Sequence, residues 1–440
     1  MLRISELPKY DAYKDSGYEW IGGMPEEWEV SKLGGCLSAV SIKGCPDLPL
    51  LSITREQGVI QRDVEDQDSN HNFIPDDLSG YKLLKEGQFG MNKMKAWQGS
   101  YGVSSFTGIV SPAYFIFDFT KPIWPSFFNW AIRSSLYVSY FGSASDGVRV
   151  GQWDLSKDRM KVIPFLLPPE DEQRLIAKFL DKKNTQIDEA IAIKEQQIAL
   201  LKERKQIIIK KAVTQGLDPT VPMKDSGVDW IGEIPAHWEC TKVSYLAKVD
   251  AGATPDRSNP KYWGGSIPWV KTGEVNYKTI VDSEEHISSA GLRYSSLRLA
   301  PRGTLLMAMY GQGVTRGRVA ILGFPATYNQ ACCAMTFGDK IAPEFAQYFF
   351  VAAYPYIRDE GNESSQMNLS AGYISGLKIS VPPIDDQKRL IEELDEEESR
   401  YSSAENVLLG QLKKLKEYKA TLINSAVTGK IRITPDMVEA

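Results

Sequence analysis

The sequence predicts a duplicated α/β protein: two α/β domains separated by two long helices that pair as an antiparallel intramolecular coiled coil, related by a pseudo-two-fold internal duplication. Three observations predict this. The phrase YKDSGYEWIGGMPEEWEVSKL, Tyr13 to Leu33, returns as MKDSGVDWIGEIPAHWECTKV, Met223 to Val243, with Asp15/Asp225, Trp20/Trp230, Ile21/Ile231, Pro25/Pro235 and Trp28/Trp238 all 210 positions apart. A second phrase, LPPEDEQRLIAKFLDKK from Leu167, returns as VPPIDDQKRLIEELDEE from Val381, and Pro168/Pro382, Gln173/Gln387, Leu180/Leu394, Lys202/Lys416 and Thr214/Thr428 keep an offset of 214 without a gap. Behind it, Ile176, Leu180, Ile187, Ile191, Ile198, Leu201, Ile208 and Ala212 recur at spacings of three, four or seven, which is the seam of a coiled coil.

The lead-in, 1–27, reads as a packed docking segment because of its Trp, Ile, Gly and Pro content. The first block, 28–167, strings the strand-like pieces LPLLSIT, GVI, GQFGMN, YGVSSF and PAYFIFDF between Gly and Pro, then turns to helical periodicity in PSFFNWAIRSSLYVSYF. The central helix, 168–216, opens on prolines and on Glu170, Asp171 and Glu172, which suit the positive end of a helix dipole, and it stops at Gly216 and Pro219. A linker and second lead-in, 217–237, precede the second block, 238–381, where GGSIPWV, GTLLMAMYG, GRVAIL and ACCAMTF come before the helical PEFAQYFFVAAYPYIRD. Both blocks finish on a matching tag, Asp154-Leu155-Ser156 and Asn368-Leu369-Ser370. The C-terminal helix, 382–430, carries the shifted seam Leu390, Leu394, Tyr401, Glu405, Leu412, Leu415, Leu422 and Ala426, broken by one glutamate, and a tail, 431–440, follows. Two helices of about 45 residues, roughly 67 Å each, would leave their apolar stripes in water unless they packed on one another.

At 440 residues, with 42% hydrophobic and 24% charged residues, the chain can bury sizeable cores. The start, MLRISELPKYD, lacks the basic-then-apolar pattern of a secretion signal, and no apolar run approaches the ~18 residues that span a bilayer, so a cytoplasmic location off the membrane is expected. Cys36, Cys45, Cys240, Cys332 and Cys333 form no CxxC pair and are expected reduced. A net charge of −5 does not announce a nucleic-acid binder. Yet 34–165 carries 0 and 244–381 carries +2, so a DNA-facing surface is expected inside those blocks, helped by a more basic partner.

No catalytic constellation is legible, and neither catalytic residues nor metal ligands are assigned. His71, His237 and His286 lack ligand partners at helical or turn spacing, and GQGVTRG at Gly311 lacks the lysine of a phosphate loop. LLPPED and VPPIDD lack the residues that flank the proline pair of an adenine methyltransferase site and read as helix starts. The chain is therefore expected to bind rather than to catalyse. Direct readout of DNA favours Arg or Lys on guanine and Asn or Gln on adenine, with hydroxyls fixing phosphates. Loops of the first block supply Asn92, Lys93, Lys95, Gln98, Tyr101, Arg149 and Gln152; those of the second supply Arg257, Lys261, Tyr262, Lys271, Thr272, Tyr310, Gln312, Thr315, Arg316 and Arg318. Trp263 and Trp269 read as framework.

The phrases KDSGYEWIGGMPEEWE, GLDPTVPMKDSGVDWIGEIPAHWE and TPDRSNPKYWGGSIPWVKTGEV, with PPxxxQ helix starts and helices ending in AVT, resemble the specificity subunit of type I restriction-modification systems. The resemblance spans nearly the whole chain. It implies two target-recognition domains, each reading one half of a bipartite site on double-stranded DNA, with helices that set the spacing and dock two methyltransferase (M) subunits. Translocating restriction (R) subunits would complete the complex. It implies no cofactor in this chain, S-adenosylmethionine, ATP and Mg being expected in the partner subunits. The first block lacks the TP…YWGGSIPW signature of the second, so contacts do not carry over between blocks and an asymmetric target is expected. Two other functions stay open: a DNA-recognition subunit of another defence system, and a coiled-coil scaffold that never touches DNA. Gene neighbours would separate the former, and salt-dependent binding of a duplex would discard the latter.

Overall fold

The computed structural model describes residues 3–63, 74–75, 77–147, 153–311, 315–359 and 369–439. Two compact units divide the chain: Met1–Glu195 with Gly410–Ala440, and Gln196–Leu409. The division falls inside both long helices, Glu170–Gln215 and Ile384–Val427, so each unit owns one α/β block and half of each helix.

In the first unit the lead-in folds into a hairpin, Tyr13–Asp15 antiparallel to Gly23–Pro25, which delivers Ile21, Met24 and Trp28 to the core. The Trp28 indole N–H donates to the Glu172 carboxylate at 2.9 Å, tying the lead-in to the first turn of the helix. Strand Glu29–Lys32 pairs with Pro164–Leu167, the strand that runs into the helix-opening prolines. The main sheet is antiparallel throughout, in the order Leu37–Val40, Tyr114–Phe119, Phe89–Asn92, Tyr101–Val103. Its core side is aromatic, with Phe89, Phe127, Phe128, Tyr137, Phe141 and Phe165 fully buried. The single helical stretch expected over 125–141 is two helices, Pro125–Ile132 and Ser135–Ser143. Arg133 at the break donates to the carbonyls of Tyr101 (3.0 Å) and Glu56 (2.7 Å), and Ser134 is extended.

The second unit repeats the plan. Its hairpin is Met223–Asp225 with Glu233–Pro235, its framing pair Glu239–Lys242 with Lys378–Val381, and its sheet runs Ala247–Ala251, Cys332–Phe337, Leu305–Ala308, Val319–Ile321 in the same antiparallel order. Beside the main sheet the units differ: the first has the antiparallel pairs Leu51–Thr54 with Gly58–Gln61 and Lys82–Leu84 with Gly108–Val110, whereas in the second strand Trp263–Val270 pairs antiparallel with His286–Ile287 and parallel with Thr327–Tyr328. The tag serines recur as helix caps, Ser156 accepting from the Arg159 N–H and Ser370 from the Tyr373 N–H.

A repeated glutamine locks each helix start. Gln173, 2% exposed, accepts from the Trp124 N–H (2.7 Å) and donates to the Pro168 carbonyl (2.9 Å). Gln387, 0% exposed, accepts from the Ala342 N–H (2.7 Å) and donates to the carbonyls of Lys340 (3.0 Å) and Pro382 (2.8 Å). A buried amide survives only where its donors and acceptors are met, and these are.

The helices run antiparallel in both units. In the first, Ile176, Leu180 and Ile187 share a core with Leu415, Leu422 and Ala426, and the ion pairs Asp188 with Lys419 (2.6 Å) and Glu195 with Lys416 (3.2 Å) fix opposite chain senses. In the second, Lys202 meets Glu405 at 3.1 Å and Lys205 meets Glu398 at 2.6 Å. The glutamate that interrupts the seam is thus answered by a lysine of the facing helix. Such exposed pairs set register more than they stabilise. Ile209, outside the expected seam, is buried while Ile208 is half-buried, because a 3.6-residue turn drifts away from a strict seven-residue repeat.

The tail closes over the lead-in of its own unit. Arg432 pairs with Asp11 at 3.2 Å, its N–H donates to the Pro8 carbonyl, and the Lys430 ammonium donates to the carbonyls of Ile21 and Gly23. The turn into the tail needs a glycine: Gly429 has φ +69°, and a Cβ there would fall 2.4 Å from Pro25. All five cysteines are free. Among the described residues no helix is long and apolar enough to cross a membrane.

Candidate nucleic-acid interface

In the second unit Arg257, one of the expected loop residues, lies against two tryptophans. Trp269 is buried with its N–H on the Ala253 carbonyl (3.0 Å), and Trp263 donates to the Asp256 carbonyl (3.1 Å), so both are framework. The Arg257 guanidinium lies 3.9 Å from the Trp263 ring centroid and 4.8 Å from that of Trp269, and it is bonded to the Glu285 carboxylate. Lys271 reaches Glu284 at 2.9 Å and Glu285 at 3.1 Å. The Arg257 bond holds the Glu285 carboxyl below its ordinary range, against partial burial and with help from Lys271. Bonds to Glu284 and then Glu285 raise Lys271. The structure therefore brings Arg257 and Lys271 together, but through the Glu285 carboxylate that both reach.

Lys261 and Tyr262 sit on the turn Pro260–Tyr262, which the Asn259 side chain initiates by accepting from the Lys261 N–H. The Tyr262 ring lies at 24° to that of Tyr294 with centroids 6.5 Å apart, and Tyr294 is 71% exposed. Thr272 starts the turn Thr272–Glu274. Tyr310 is part-exposed beyond strand Leu305–Ala308, the Thr315 carbonyl accepts from the Arg318 N–H, and Arg316 donates to the Arg358 carbonyl at 3.1 Å. Arg318 faces the Tyr277 ring, 5.8 Å from its centroid. Tyr277 is held at φ +70° by bonds from Gln347 to its carbonyl and from its N–H to the Val319 carbonyl, a left-handed conformation that local sequence does not announce. Of the isolated histidines, His237 bonds to Asp386 at 3.0 Å and His286 opens a short strand. Gln312, Arg149, Gln152 and His71 lie outside the described residues.

In the first unit two expected surface residues are structural. Tyr101, expected in a loop, is fully buried with its ring 4.6 Å from that of Phe141, because it opens a core strand. Asn92, 8% exposed, spends its amide on Tyr114 Oη (3.3 Å) and its carbonyl oxygen on the Met94 N–H (3.2 Å). Lys93 pairs with Asp154 at 3.1 Å, Lys95 is exposed, and Gln98 is half-buried in the turn Ala96–Gln98. Three lysines that sequence did not single out lie, with Lys93, about strand Tyr114–Phe119: Lys82 bridges to Lys43 and donates to the Tyr114 carbonyl, Lys157 stands over the Phe115 ring, and Lys93 follows Asn92, the strand partner of Tyr114. Only strand pairing brings such distant positions together.

Residues 235–409 match the family described as type I restriction modification DNA specificity domain. The chain is 30% identical to the type I restriction enzyme MjaIX specificity subunit of Methanocaldococcus jannaschii over 165 residues, 36% of this chain and 38% of that protein, so the match spans well under two thirds of that relative. It is 22% identical to the MjaVIII specificity subunit of the same organism over 96% of this chain and 97% of that one. A solved chain from work on complex assembly and conformational transition of the type I R-M system shares the fold at a TM-score of 0.72 and 13% identity, covering 92% of this chain and 98% of that one.

Proposed function

We propose, from the premise that this chain belongs to the type I restriction-modification specificity-subunit family, that it selects the DNA sequence on which such a system acts. Each α/β block reads one half of a bipartite, asymmetric site; the paired helices set the gap and dock two methyltransferase subunits, with restriction subunits completing the assembly. The chain itself performs no chemistry on this reading: S-adenosylmethionine, ATP and Mg belong to the partners, and a methyltransferase subunit flips the adenine out of the duplex positioned for it.

The observation that carries the reading is the doubled frame. Both units keep one sheet order, one framing strand pair and one glutamine lock, while their loops present different side chains: an Arg-Trp-Glu cage in one and a lysine group in the other. A constant frame with divergent loops suits two independent readers. Methylome sequencing of a host expressing the complete system tests it. The expected motif is bipartite, and replacing residues 244–381 with the equivalent block of a relative changes one half of it only. A contiguous motif, or changes in both halves, refutes the proposal.

A further inference from the structure

We propose that the first unit docks on the phosphate backbone of duplex DNA through Lys43, Lys82, Lys93 and Lys157. The inference rests on the DNA-reading role proposed above and names the contact surface for it.

The four lysines come from four places: beyond strand Leu37–Val40, in strand Lys82–Leu84, after strand Phe89–Asn92, and at the first position of helix Lys157–Lys161. Lys43 and Lys82 are partners in an antiparallel bridge. Like charges directly opposite across a sheet oppose pairing, so folding alone gives no reason for this placement. Two of the ammonium groups are held by consecutive residues of the central strand. Lys82 Nζ donates to the Tyr114 carbonyl at 2.7 Å, and Lys157 Nζ stands 4.1 Å from the Phe115 ring centroid. Burial, then Lys157, Lys43 and Lys93 in that order, depress the Lys82 pKa, which reports their mutual repulsion. Among the described residues one ion pair answers the group, Lys93 with Asp154.

In the second unit four cations are answered by carboxylates: Arg257 and Lys271 share Glu285, Lys271 also reaches Glu284, and Lys248 and Arg298 share Asp250. A held, self-repelling set of cations is relieved by a polyanion, and each phosphate it neutralises releases counterions. Cations already paired with carboxylates release less.

The test measures duplex binding by the full chain, purified in the assembly proposed above, from low to moderate salt. Each of Lys43→Ala, Lys82→Ala and Lys157→Ala is expected to lower the slope of log K against log salt by about 0.9, and the triple variant by about 2.7, with the selected bases unchanged. Lys82→Gln removes the charge yet keeps a donor for the Tyr114 carbonyl, so it separates charge from folding. Lys413→Ala, an exposed lysine of the second long helix, is the equal-charge control and is expected to leave the slope unchanged. Wild-type slopes in the lysine variants, or an equal fall in the control, overturn the assignment while the reading role stands. Absence of duplex binding by the unaltered assembly overturns both.

Discussion

Replacing Gln387 with alanine removes the lock between the second long helix and its own unit. Three bonds to main-chain groups disappear, from the Ala342 N–H and to the Lys340 and Pro382 carbonyls, at a site with no exposure. At about 1 kcal/mol net per hydrogen bond the loss is about 3 kcal/mol. Gln387→Glu is more discriminating. Its carboxylate can still accept from Ala342, but its other oxygen faces two carbonyls, so only the protonated acid fits. The folded-state pKa is then raised above the unfolded value of about 4.3, and the penalty is absent below that pH and grows as pH rises above it. A chain of two units does not unfold as one transition, so hydrogen exchange followed along the sequence is the assay, with denaturant as the scale. Loss of protection is expected at the Ala342 amide and across the start of the helix, and Gln173→Ala is expected to do the same at Trp124 in the first unit. A loss under about 0.5 kcal/mol, with the Ala342 amide as protected as before, refutes the hydrogen-bond accounting.

Backbone contact sets a second expectation. A Cβ at Gly252 would lie 2.1 Å from the Asn329 oxygen and 2.3 Å from that of Tyr328. Gly252→Ala should cost at least the ~1–3 kcal/mol of an overpacked site, read as lost exchange protection in the second unit; at Gly273 nothing lies within 4 Å of an added Cβ, and Gly273→Ala should stay within about 0.5 kcal/mol by the same exchange measurement. The cage supplies a third. Because the Arg257 bond lowers the Glu285 pKa, its stabilising contribution is present above the unfolded carboxyl value and is lost as pH falls through the folded one. Protection factors over 253–287, taken relative to the intrinsic exchange rate at each pH, should therefore fall in acid, and Glu285→Gln should abolish that acid step; an identical acid response in the variant would remove Glu285 from the account.

The duplication, the helix starts just after the proline pairs, at Glu170 and Ile384, and the seam were legible because each is a local pattern: prolines before acids, apolar residues at helical spacing, and one phrase spelled twice. Gln173 and Gln387 were visible as repeated letters, and their role was not, since their partners lie about 45 to 50 positions away in the chain. The break at Arg133 escaped for the same reason, the deciding carbonyls being those of Tyr101, Arg55 and Glu56.

Candidate contacts divided along that line. Composition could propose Lys93, Arg257, Lys271 and Tyr101 alike, because a loop-like string shows which chemistry is present and not which side chain is already engaged. Folding buried Tyr101, set Arg257 and Lys271 against Glu284 and Glu285, and drew Lys43, Lys82 and Lys157 toward Lys93. Order along the chain was enough to establish that this protein is one plan used twice. Which of its charges stand unanswered depended on strand register, since a cation is cancelled or left bare only by what another part of the chain carries beside it in space.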